Sequence, residues 1–161
     1  MCKINFKKTL PYIGSILFMI ILSYIYFSPD ILEGKVLFQG DTQQGIAIGQ
    51  EGKAFREATG ETTRWTNSLF SGMPNFQISP SYANNYWMGQ IGRIYHLGLQ
   101  SPASLVFIMM LGFFILLSAM KIRWYLALVG AIAYAFSSYF FIIIGAGHIW
   151  KFITLAYIPP T

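Results

Sequence analysis

Cysteine occurs once in this chain, at Cys2, so no internal disulfide and no paired-cysteine zinc or redox motif can form. Because Cys2 precedes the first apolar segment, it is not a lipoprotein cysteine either. The two histidines, His96 and His148, form no His-Glu-x-x-His motif, which removes that zinc-hydrolase design. A Gly-x-x-x-x-Gly-Lys-Ser/Thr loop and a Gly-x-Ser-x-Gly elbow are also missing, leaving P-loop nucleotide hydrolysis and serine-esterase chemistry without support. Charge is scarce. Asp, Glu, Lys and Arg make up 11% of the residues, against roughly a quarter in soluble domains. Apolar residues make up 55%, and the mean hydropathy of +0.51 is that of an integral membrane protein.

What is present is unevenly placed. All the acids, Asp30, Glu33, Asp41, Glu51, Glu57 and Glu61, fall within residues 29–103, between one apolar segment and two later ones. Residues 10–27 carry no charge and, at about 1.5 Å rise per residue, reach roughly 27 Å, close to the hydrocarbon thickness of a bilayer. Residues 104–120 and 125–144 are likewise free of charge and read as a helical hairpin. Lys3, Lys7 and Lys8 resemble a signal-peptide n-region, yet the Tyr24-Ile25-Tyr26-Phe27-Ser28-Pro29 run is too bulky for a cleavage site, so a retained anchor is expected. Basic residues mark cytoplasmic ends, which puts those lysines and Lys121/Arg123 on the same side. The net charge of +5 is then a topology signal, and nucleic acid is not an expected partner.

The predicted fold is all-α and integral to the membrane, with about three transmembrane helices and a large extracytoplasmic loop carrying short amphipathic helices. Its parts are a cytoplasmic tail (1–9), a first span (10–28), the loop (29–103), a second span (104–120), a cytoplasmic turn (121–124), a third span (125–144) and an outer segment (145–161) that starts a further helix. Tyr12, Tyr24, Tyr26, Trp124, Tyr125 and Trp150 fall near the boundaries, where amphipathic rings favour the interface. The renewed apolar run at 152–158, stopped by Pro159-Pro160-Thr161, reads as part of a longer membrane protein of which this is the N-terminal piece.

Within the loop, Ser28-Pro29 is expected to break the first helix and residues 31–40 to be extended or turning. Asp41 is a plausible N-cap for a helix over 43–59, with Gly60 placed to end it. Residues 65–81 read as a packed loop, and 82–99 as an interfacial helix with Arg93 and His96 among its apolar positions.

Several motifs in order carry a family likeness. Leu37-Phe38-Gln39-Gly40-Asp41-Thr42-Gln43-Gln44, Phe55-Arg56-Glu57-Ala58-Thr59-Gly60-Glu61, Trp65-Thr66-Asn67-Ser68-Leu69-Phe70-Ser71-Gly72-Met73-Pro74 and Gly147-His148-Ile149-Trp150-Lys151 resemble the YfhO-like bacterial membrane proteins, their Bacteroidetes branch above all. The resemblance implies a GT-C type glycosyltransferase in the bacterial cytoplasmic membrane. Such an enzyme draws a sugar from a polyprenyl-phosphate donor on the outer side and passes it to an envelope glycan or lipid acceptor. Members of this class place a carboxylate in the first outer loop, and Asp41 is the matching position.

Sugar transfer to a hydroxyl needs a base near the acceptor proton and positive or dipolar groups near the departing phosphate. Asp41 fits the base, or a ligand of a divalent metal ion, whose involvement the sequence leaves open. His148 and Lys151 are candidates for the donor phosphate, with Arg56, Arg64 and Arg93 as further cations. Plainer roles compete: helix capping for Asp41, snorkelling for Lys151, a hydrogen-bonded turn for His148. Glu57 and Glu61 read as a solvated face. Trp65, Phe70 and Pro74 either pack the loop or stack on a sugar ring. A transporter or flippase subunit for a lipid-linked glycan is the alternative function, and a non-catalytic membrane fragment a third; broken helices or ionisable groups at mid-membrane would mark a transport path, and the sequence shows neither.

Overall fold

An apolar helix sits at the centre of this protein because its sequence offers no polar face to solvent. This helix, α5 (Ala103–Ala119), is buried without interruption from Ala103 to Met110. Around it the computed structural model, which describes residues 6–35, 37–77 and 86–161, packs α1 (Phe6–Tyr26), α6 (Trp124–Ala135) and α8 (Ile149–Tyr157). The remaining helices among the described residues are α2 (Ser28–Leu32), α3 (Gly40–Thr59), α4 (Tyr86–Tyr95) and α7 (Ser138–Ala146). The described residues are mostly helical, at 72%. Cys2 and Lys3 lie outside the described residues.

Large side chains of α5 fill the centre, and small residues of α1 and α6 let those helices approach it. On α1 the buried stripe is Ser15, Met19, Ser23 and Phe27, four apart, while Leu17 and Ile21 are 55% and 56% exposed. Each buried serine satisfies its hydroxyl within the helix, Ser15 Oγ donating to the Pro11 carbonyl and Ser23 Oγ to that of Met19, both at 2.9 Å. On α6 the buried stripe is Ala127, Ala131 and Ala135, and Val129 points outward, 64% exposed. The tightest approach is between α5 and α8: a Cβ on Gly112 would lie 2.5 Å from the Ala156 carbonyl oxygen and 2.9 Å from the Tyr95 hydroxyl. Among the described residues α1 alone is long and apolar enough to cross a membrane as one helix; α6 and α7 pass that test only as a pair bent by 46°, and α5 is an apolar helix of 17 residues.

That bend corrects the expectation of one unbroken helix over 125–144. Phe136 and Ser137 leave helical geometry, with ψ of 14° and 140°. The Ser137-Ser138 pair supplies two poor helix formers in succession. α1 stops just before Ser28-Pro29, as expected, but the chain is not extended at residues 31 and 32. It turns at Phe27 and resumes as α2, because proline is tolerated in a first helical turn.

Within the 65–81 segment, residues 65–77 are more ordered than a packed loop. Trp65–Thr66 (β1) and Met73–Pro74 (β2) pair antiparallel, Trp65 opposite Pro74, and Asn75–Gln77 forms a 3₁₀ turn. Residues 78–85, including the start expected for the interfacial helix, lie outside the described residues.

Candidate functional site

The start of α3 is seated on the turn between α7 and α8. α7 ends in a Schellman turn: the His148 amide donates to the Ile143 carbonyl at 3.1 Å, and the Gly147 amide to that of Ile144, also at 3.1 Å. Gly147 takes φ +95°, and a Cβ there would lie 2.9 Å from Thr42 Oγ1 and 3.1 Å from Gln39 Cβ. Glycine is required both for the backbone conformation and for the contact.

The Gln39 side chain bridges the two parts. Its Nε2 donates to the Ile144 carbonyl at 2.6 Å, and its Oε1 accepts from the Thr42 hydroxyl at 3.0 Å. Gln39 is also the residue that flanks α3 in extended geometry, so it, and not Asp41, holds the N-cap position, without a side-chain capping bond. Asp41 lies in the first turn, where the helix dipole favours a negative charge. Its Oδ2 lies 3.1 Å from His148 Nδ1, an ion pair when the imidazole is protonated, with both side chains about half exposed. Two residues 107 positions apart that the sequence could only assign to one side of a membrane are in direct contact.

No protein-family model, curated protein or solved structure matches this chain.

The other candidate residues are dispersed. Lys151 does not join the Asp41–His148 pair; its Nζ lies 5.6 Å from the centroid of the Tyr139 ring. Arg64 and Arg93 are exposed, and neither forms an ion pair or hydrogen bond with Asp41 or His148. Arg56 is in the last turn of α3, where its carbonyl accepts from the Gly60 amide at 2.8 Å and Gly60, at φ +75°, ends the helix. Trp65 lies against Gly72, where a Cβ would come within 2.8 Å of the indole nitrogen, and its ring is still half exposed. Phe70 is 87% exposed, carried outward by a turn in which Phe70, Ser71 and Gly72 all have positive φ.

Glu51 does what no sequence motif announced. From the middle of α3 its Oε2 accepts from the Thr66 hydroxyl at 2.5 Å and from the Asn67 and Ser68 amides, each at 2.9 Å; Oε1 takes the Asn67 side-chain amide at 3.3 Å. The Thr66 hydroxyl bond leads in holding the Glu51 carboxyl below its ordinary range; desolvation opposes it, and the two backbone amides reinforce it. One carboxylate thus fastens the β1–β2 hairpin to α3.

Among the described residues no three His, Cys, Asp or Glu side chains gather to hold a metal ion. Asp41 and His148 supply two donors, so a divalent cation there would take its other ligands from water and substrate.

Proposed function

We propose that this chain is the N-terminal part of a YfhO-like, GT-C type membrane glycosyltransferase that moves a sugar from a polyprenyl-phosphate donor to an envelope glycan or lipid acceptor at the outer face of the bacterial cytoplasmic membrane. The observation that carries the reading is the contact of Asp41 with His148 beside the end of an apolar helix pair. With Oδ2 engaged by His148, Oδ1 is the oxygen offered to an acceptor. The acceptor hydroxyl loses its proton to Asp41 and its oxygen bonds the anomeric carbon. The bond from that carbon to the phosphate oxygen breaks, and polyprenyl phosphate leaves with the electron pair. His148 and Lys151 supply donors or positive charge on the side where that phosphate develops its charge. A divalent cation, if bound, would neutralise the same phosphate.

The membrane setting is supported by the outward apolar faces of α1 and α6. Leu17, Ile21 and Val129 would be inside a water-soluble bundle, whereas in lipid the small residues belong between helices and the large ones outside.

Replacing Asp41 by Asn in the complete protein should lower transfer from a polyprenyl-phosphate sugar by at least about a hundredfold with membrane insertion unchanged. Turnover at the wild-type rate by that variant removes the assignment. The break at Phe136–Ser137 favours the second reading, a transporter or flippase subunit for a lipid-linked glycan, because interrupted helices line transport paths. Asp41-independent flipping of a labelled lipid-linked sugar across vesicles, with no transfer, would establish it.

A further inference from the structure

We infer that Gln39 is a positioning residue which, with Gly147 as its seat, sets Asp41 against His148; this rests on the transfer reading and adds to it a residue outside the reacting groups. α3 has no buried residue, so packing does not hold its first turn in place. Among the described residues, the side-chain hydrogen bonds and ion pairs that join the start of α3 to the α7–α8 turn are those of Gln39 with Ile144 and of Asp41 with His148. The second is a half-exposed pair, and pairs of that kind contribute little to stability. It does not fix its own geometry. The Gln39 bond is short, at 2.6 Å, partly buried, and made to a carbonyl of the same Schellman turn from which His148 projects.

The two bonds of Gln39 determine two directions. Nε2 registers the chain against Ile144, and Oε1, by accepting from Thr42, ties that register to the first turn of α3 on which Asp41 sits. Gly147 completes the seat, because any side chain there would push Thr42 and Gln39 away. Substituting Gln39 should therefore move Asp41 without touching it.

The test uses the intact chain in lipid nanodiscs with 15N-labelled histidine. There being only two histidines, the hydrogen-bonded Nδ1 proton expected for His148 beside Asp41 is assigned by its loss in Asp41→Ala, which leaves no acceptor there. Gln39→Glu keeps the size of the side chain and its acceptor for Thr42, removes the donor to Ile144 and sets a carboxylate oxygen against that carbonyl. That resonance should disappear in Gln39→Glu and in Gly147→Ala, while in uniformly 15N-labelled samples the Asn67 and Ser68 amides keep their positions. In the complete enzyme, Gln39→Glu should lower kcat by roughly a hundredfold, the cost of a misplacement of about 1 Å, with KM for the donor little changed. A persisting His148 resonance in both variants overturns the latch. A resonance lost in both variants, in a complete wild-type protein that transfers no sugar, supports the latch and overturns the transfer reading.

Discussion

The helical bundle and the α3–hairpin unit are held together by opposite means. In the bundle, cohesion comes from apolar packing: Phe107, Ile108, Met109 and Met110 of α5 and Phe152 of α8 fill the centre, while Ser15, Ser23, Ala127, Ala131 and Gly112 let neighbouring backbones approach. In the α3–hairpin unit, no residue of the helix is buried, and a single carboxylate, Glu51, gathers four hydrogen bonds from three consecutive residues of the hairpin. The first relies on close packing between apolar helices, the second on hydrogen bonds gathered by one carboxylate. The candidate site lies where one kind of construction is attached to the other.

The contrast is most strongly tested at Gly112. Gly112→Val drives a side chain into the Ala156 carbonyl, and the bundle should lose about 2 kcal/mol or more, measured by unfolding in mixed micelles. Gly14→Ala is its control: Gly14 has open space around its Cβ position, so the same measurement should show no loss and a gain of up to about 1 kcal/mol from helix preference. On the other side, Glu51→Gln should release the hairpin while leaving the bundle intact. Amide exchange at Asn67 and Ser68 should accelerate at least about tenfold with α5 unchanged.

The pH dependence follows from the same carboxylate. The folded state holds the Glu51 carboxyl below its ordinary value of 4.5, so the stabilisation is fully present above that value and is lost as the pH falls through the lower, folded one. Protection of Asn67 and Ser68 should decline at acidic pH in the wild type and show no such step in Glu51→Gln. The smallest effect is expected at Phe70. Phe70→Ser should leave both the unfolding of the bundle and the protection of Thr66 unchanged, since the ring contacts neither.

Much of the helical architecture was legible because it rests on runs of residues. The uncharged stretch around α1, the apolar α5 and the glycine that ends α3 at Gly60 each follow from local pattern. The break in the third run was not, since Ser137-Ser138 amid Phe, Tyr and Ile leaves the mean hydropathy high while ending a helix. Placing Asp41 and His148 on a common side was possible from charge distribution, but their contact depends on Gln39 meeting Ile144 across 105 positions, which no spacing reveals. Gly147 did carry a readable signal, a glycine directly after an apolar helix, which marks a left-handed helix end. For Glu51, the signal was weak: Thr66-Asn67-Ser68 is a run of donors, and its partner sits one domain element away.

The most direct measurement is thiol labelling of single-cysteine variants, made after removing Cys2, in intact and in opened membrane vesicles. Cysteines at Leu17, Ile21 and Val129 should resist a membrane-impermeant maleimide in both preparations. A cysteine at Glu57 should react from the outer side alone, and one at Arg123 from the cytoplasmic side alone. Ready labelling at Leu17, Ile21 and Val129 would show those faces to be in water, and labelling of Glu57 and Arg123 from the same side would contradict an outer site built on Asp41 and His148.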